Sequence, residues 1–135
     1  MTNVTATGNT AGNHGGGLFV SQGCHAIAED LTLTNNTAIV NGGGAWAQED
    51  FIVKNLTATG NTAASHAVYL AASHYDGQSY FAGVMKFSGK VIVKDNTGGG
   101  VMVGEQTTLT IPGEDVKVSE KIAGGFTDNN IVAPY

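Results

Sequence analysis

The chain has 135 residues and a formal net charge of −5, from 6 Lys+Arg against 11 Asp+Glu. That balance disfavours phosphate backbones and anionic membranes, so neither nucleic-acid binding nor membrane insertion is expected. Its 20 glycines against 2 prolines suit many tight turns between short strands rather than helices or a disordered linker. No run approaches the roughly 20 apolar residues that cross a bilayer, and the opening Met1-Thr2-Asn3-Val4-Thr5 carries neither a basic nor an apolar leader region.

In chain order, a short apolar strand pattern runs four times into Asn-Thr followed by Ala or Gly. The copies are Val4-Thr5-Ala6-Thr7-Gly8-Asn9, Leu31-Thr32-Leu33-Thr34-Asn35-Asn36, Leu56-Thr57-Ala58-Thr59-Gly60-Asn61 and Val91-Ile92-Val93-Lys94-Asp95-Asn96. Apolar residues alternate with Thr at a period of two, which predicts strands with Val4/Ala6, Leu31/Leu33, Leu56/Ala58 and Val91/Val93 facing a core. The asparagines recur at spacings of 27, 25 and 35, the span of one supersecondary unit stacked on the next.

A second strand is expected after each corner, at Leu18-Phe19-Val20, Ala45-Trp46-Ala47, Val68-Tyr69-Leu70 and Val101-Met102-Val103; all but the third follow a Gly triplet. A third run, Ala26-Ile27-Ala28 and Phe51-Ile52-Val53, aligns when counted back from the next tetrad. In that register Glu29 lies beside Lys54 and Asp30 beside Asn55. The expectation is an all-β chain forming a single-domain parallel β-helix. Its four coils fall at about 4–30, 31–55, 56–90 and 91–112, and 113–135 forms a C-terminal cap, because the tetrad register is lost there after Pro112. Asn9, Asn36, Asn61 and Asn96 read as a structural ladder of amides bonded along the axis.

The string from Leu31 to Trp46, with its Asn-Asn-Thr-Ala and Gly-Gly-Gly-Ala-Trp elements, resembles the Asn-x-Ala and Gly-Gly-Ala-Ile repeats of polymorphic outer-membrane proteins and related β-helical surface proteins. Phe87 to Thr97 is similar to the terminal coils of large repetitive surface proteins of Gram-positive gut bacteria. The resemblance covers residues 4 to about 112. It implies a right-handed helix, an extracellular or cell-surface location, and a role in adhesion or structural display, with a glycan or a cell-surface protein as partner.

The third recurrence is longer, and the excess holds His74, Tyr75, Asp76, Gln78 and Tyr80; with Trp46 these are the candidates for stacking on and hydrogen-bonding a sugar. The acidic pairs Glu29-Asp30 and Glu49-Asp50 bring in a polysaccharide lyase or glycoside hydrolase as an alternative. They read as solvated charge, because neighbouring strand residues face opposite ways, and no catalytic residue is assigned. His14 and His66 stand at equivalent offsets with Asn41 between them, about 9–10 Å apart and too far to share a metal ion, so no metal or cofactor is expected. Thr5, Thr7, Thr32, Thr34, Thr57 and Thr59 would form two outward files resembling the Thr-x-Thr face of ice-binding proteins, broken at Ile92 and Lys94. Cys24 has no internal partner and reads as a small buried or half-buried apolar residue. The first turn has no cap of its own, which admits end-to-end stacking with another chain or with upstream repeats.

Overall fold

The computed structural model describes residues 1–71, 74–75, 80–81, 84–103, 108–110, 116–118, 122–124 and 130–132, with side chains for 1–71 and 84–103. Every regular element among them is a strand. In chain order these are β1 (Thr2–Thr7), β2 (Thr10–Ala11), β3 (Leu18–Val20), β4 (Ala26–Thr34), β5 (Thr37–Ala38), β6 (Ala45–Ala47), β7 (Phe51–Thr59), β8 (Val68–Leu70), β9 (His74–Tyr75), β10 (Tyr80–Phe81), β11 (Val84–Lys94), β12 (Val101–Val103), β13 (Thr108–Thr110), β14 (Val116–Val118), β15 (Ile122–Gly124) and β16 (Asn130–Val132).

The strands assemble chiefly into two parallel sheets. The larger is ordered β1-β4-β7-β11-β13-β16, with β14 also on β11, and the smaller is ordered β3-β6-β8-β12-β15. Each strand pairs with the one at the matching offset from the next tetrad: Val4 lies beside Leu31, Leu31 beside Leu56 and Leu56 beside Val91. The register follows from the alternation, since a slip of one residue would turn every apolar side chain of the strand toward water. Within 113–135, where a cap is expected, β14, β15 and β16 continue the pairing on β11, β12 and β13.

One core fills the space between the sheets. Leu31, Leu33, Leu56, Ala58, Val91 and Val93 enter from one stretch of the large sheet, Phe51, Val53, Met85 and Phe87 from another, and Ala47, Val68, Leu70, Val101 and Val103 from the small sheet. Phe51 and Phe87 meet edge to face, with ring centroids 6.1 Å apart and planes at 89°. Val4 and Ala6, on the outermost strand β1, are only partly buried.

The sequence divides each unit into three short strands, whereas the structure joins two of them into one strand bent at a single residue. Asp30 in β4 and Asn55 in β7 adopt φ of 59° and 63°, and Gly89 takes the place beside them in β11 with φ of 68°. Asp and Asn tolerate this left-handed conformation better than other residues with a Cβ, because their short side chains hydrogen-bond locally. Here they bond along the column: Asn55 Nδ2 donates to Asp30 Oδ1 at 2.7 Å, and Lys90 N donates to Asn55 Oδ1 at 3.0 Å. The left-handed residue redirects the chain while the pairing of β4 with β7 resumes in the same register beyond it, and between β7 and β11 the register shifts between Ser88 and Val91; hydrophobic periodicity does not register such a bend. Alongside, Lys54 Nζ sits 3.2 Å from Glu29 Oε1; both are exposed, so the pair contributes only about 0–1 kcal/mol.

Candidate functional site

The four recurring asparagines form a continuous hydrogen-bonded line. Asn36 Oδ1 accepts from the backbone N and the Nδ2 of Asn9, both at 3.0 Å. Asn61 Oδ1 accepts from the same two donors of Asn36 at 3.0 and 3.1 Å, and Asn96 Oδ1 from those of Asn61 at 2.8 and 3.1 Å. The remaining amide protons go backwards, to Ala6 O from Asn36, to Leu33 O from Asn61 and to Ala58 O from Asn96. Asn36 and Asn61 are fully buried. These two spend their amide groups on bonds within the column and present nothing to a ligand.

What faces outward is arranged by the same pairing. On the small sheet the middle residue of each three-residue strand points away from the core, which aligns Phe19, Trp46, Tyr69 and Met102 at successive positions. Phe19 stacks on Trp46 with centroids 4.7 Å apart, and His14 stacks on the same indole at 4.9 Å. Two rings thus stack on this indole, and Trp46 is only 8% exposed. A sugar ring packs on an aromatic face, and at Trp46 that face is taken; Phe19, half exposed, is the open ring of the column. The pattern was readable as an aromatic at the centre of three successive short strands.

On the large sheet, Thr5, Thr32 and Thr57 lie in one file and Thr7, Thr34 and Thr59 in the next, with Ile92 and Lys94 continuing them. Thr34 Oγ1 donates to Thr7 Oγ1 at 3.1 Å. The inserted segment forms an antiparallel pair in which Tyr80 lies beside Tyr75 and Phe81 beside His74. Asp76 and Gln78 lie outside the described residues. The backbone thus brings His74, Tyr75 and Tyr80 together, while Trp46 belongs to the small sheet.

The histidine column needs correcting. His14 pairs with Asn41, but Asn41 pairs with Ser65 rather than His66. The third corner is two residues shorter between its asparagine and the next strand, which moves His66 into the left-handed position that Gly42 holds one segment earlier, with φ of 53° against 67°. His66 is 9% exposed, its Nδ1 lies 2.6 Å from Ser65 Oγ, and its ring meets Tyr69 edge-on at 6.5 Å.

The acidic pairs also depart from expectation. Glu29 is exposed, but Glu49 is only 6% exposed, and its Oε1 has no hydrogen-bond partner among the described residues. Asp50 Oδ2 lies 2.8 Å from His25 Nδ1, while its Oδ1 accepts from Val84 N at 3.0 Å. His25 and Asp50 stand at the same offset before Asn36 and Asn61, so the rule that pairs Glu29 with Lys54 identifies this contact as well. Cys24, read as buried or half-buried, is exposed. Among the described residues no group of three His, Cys, Asp or Glu is placed to hold a metal ion, and no helix is long and apolar enough to cross a membrane. Comparison with protein-family models, with curated proteins and with solved structures returns no match.

Proposed function

We propose that the chain is a non-catalytic parallel β-helix module of a bacterial secreted or surface-displayed protein, serving adhesion or structural display. The observation that carries this reading is the asparagine line. The residue type that recurs most regularly is spent on bonding one segment to the next, as a scaffold requires, while the outward positions of the small sheet, Phe19, Trp46, Tyr69 and Met102, vary from segment to segment. The sequence resemblance to β-helical surface proteins supplies the biological setting.

The reading expects beads coated with the folded chain to adhere to a cell or glycan surface above a heat-unfolded control, with no release of reducing ends or unsaturated uronates from polysaccharides. Cleavage of any polysaccharide would replace it with the enzyme alternative. Carbohydrate binding through the inserted segment gives a sharper expectation on a glycan array. There Tyr75→Ala and Tyr80→Ala should each lower the signal at least tenfold, and retained binding in both variants removes the segment as the recognition surface.

The two threonine files, held in register over three strands, favour ice binding as a second reading. It expects thermal hysteresis in millimolar protein that disappears in Thr32→Lys, because a lysine at the centre of one file breaks a flat hydroxyl array. A wild-type chain without hysteresis ends it.

A further inference from the structure

We propose that the outward face of β7 and β11 binds an acidic polysaccharide, a chain carrying carboxylate or sulfate groups, in a groove lined by Lys54 and Lys86. The inference rests on the adhesion reading for its setting and names the class of glycan that such a module would take.

Charge is distributed unevenly along the sequence. Of the 6 Lys+Arg and 11 Asp+Glu, four lysines and a single acid, Asp76, fall between Phe51 and Lys94. The fold gathers three of those lysines in one place. β7 and β11 each have a described strand on both sides, so their outward face lies within the large sheet. Ile52 pairs with Lys86 and Lys54 with Ser88, which makes Lys54 and Lys86 diagonal neighbours on strands about 4.8 Å apart. β11 then bends at Gly89, where a Cβ would lie 3.4 Å from Cγ of Lys54. The stem of Lys54 therefore runs beside the bend that Lys90 follows. All three lysines are exposed. Lys54 is paired with the exposed Glu29 at 3.2 Å, whereas among the described residues no carboxylate lies within ion-pair distance of Lys86 or Lys90.

Beside these groups lies a groove of about 410 Å³, lined by Ile27, Glu29, Ile52, Lys54, Lys86 and Ser88, among others. Its lining combines an apolar floor with a few polar groups, the usual composition of a ligand site. Ile27 is 62% exposed and Ile52 half-buried, and together they offer a surface to the C–H face of a sugar ring. Lys54 and Lys86 supply ammonium donors to an acid group, and Ser88 supplies a hydroxyl. Glu29 accepts from a sugar hydroxyl and repels an acid group at its own end. The acid group is thereby directed to Lys86.

The spacing of the cations favours a sparsely charged polymer over a nucleic acid. Lys86 and Lys90 stand four residues apart on one strand, at most about 13 Å. Duplex DNA carries one charge per about 1.7 Å of its axis, and a chain of net charge −5 repels so dense a polyanion everywhere outside this face. A polysaccharide with an acid group on each sugar or on alternate sugars meets the lysines without that cost.

Binding of the full chain to immobilised alginate and dextran sulfate, with neutral dextran and duplex DNA as comparisons, tests this. The wild type is expected to bind at least one of the two acidic polymers and to leave neutral dextran unbound. Its affinity should fall at least tenfold between about 50 and 500 mM salt, because exposed charges are screened. Alginate carries carboxylates and dextran sulfate carries sulfates, so their ranking tells which acid group the groove takes. Lys86→Glu should weaken binding at least tenfold, and Lys54→Gln and Lys90→Gln at least threefold each, while Lys86→Arg, which keeps the charge, should stay within threefold of the wild type. These positions are exposed, so the circular dichroism spectrum and melting temperature should not change. Asn13→Asp shifts the net charge by the same unit as Lys→Gln at an exposed corner outside the groove and should bind like the wild type. A wild type that binds neither acidic polymer, lysine variants that bind like it, an equal loss in Asn13→Asp, or duplex DNA bound as tightly as the polysaccharides would each overturn the proposal. A wild type that adheres to cells yet binds neither polymer overturns the groove alone, whereas one that binds the polymers yet adheres to no surface supports the groove and counts against adhesion.

Discussion

Asn61→Ala is expected to lower the unfolding free energy by about 3–5 kcal/mol and the melting temperature by about 10 °C or more. The side chain makes four hydrogen bonds while fully buried: two accepted from Asn36, one donated to Leu33 O and one donated to Asn96 Oδ1. Alanine would leave the Asn36 backbone N–H and the Leu33 carbonyl without these partners in an interior with no competing donor or acceptor on the new side chain. An orphaned buried polar group costs about 1–3 kcal/mol, so two such groups and a small void account for the estimate. Asn9→Ala makes the internal comparison. Asn9 is exposed, its backbone donor survives the change, and only the Nδ2 bond to Asn36 is lost, so the cost should stay below about 1 kcal/mol. Urea unfolding followed by circular dichroism separates the two, and equal costs for both variants would show that the buried line contributes no more than its exposed end.

The second large effect is steric. A methyl group at Gly43 would lie 2.5 Å from the carbonyl oxygen of Thr62, 2.7 Å from its carbonyl carbon and 2.8 Å from its nitrogen. All three are backbone atoms, and that backbone is held: Thr62 O accepts from Ala38 N at 2.9 Å, Thr62 N donates to Asn36 O at 2.8 Å, and the residue bridges Thr37 and Thr97. Relief requires prising two segments apart, so Gly43→Ala should destabilise by about 3–5 kcal/mol or prevent folding. Gly12→Ala meets nothing within 4 Å and should fall within about 1 kcal/mol of the wild type, on the stabilising side, because alanine restricts the unfolded chain. The pair distinguishes close segment packing from a general need for glycine. A Gly43→Ala protein as stable as Gly12→Ala would mean that the segments stand further apart than described.

Strand register and the direction of the core were legible because they rest on alternation. Leu31/Leu33 and Leu56/Ala58 could be buried only if strands paired at matched offsets from the tetrads, and the Glu29–Lys54 contact follows from the same count. The same arithmetic holds the His25–Asp50 pair, whose partners lie 25 residues apart along the chain and become neighbours only through strand pairing. Other features have no periodic signature. A bend made by one left-handed residue leaves the alternation on both sides intact, so Asp30 and Asn55 look like ordinary strand polar residues. The displacement of His66 needed the two-residue shortening of its corner to be weighed against the offset count. The burial of Glu49, and the covering of Trp46 by Phe19 and His14, depend on side chains from other segments and are invisible in any one stretch of sequence.

Every bond from one asparagine of the line to the next joins residues 25, 27 or 35 positions apart, and no link reaches past its immediate neighbour. Removing the outermost segment would leave Asn36 as the new terminal amide, in the situation Asn9 now holds. Such a molecule can fray inward from its ends, each lost layer exposing a boundary much like the last. Amide exchange should then be graded by distance from the ends, with slowest protons around Leu33, Leu56 and Ala58, where layers lie on both sides.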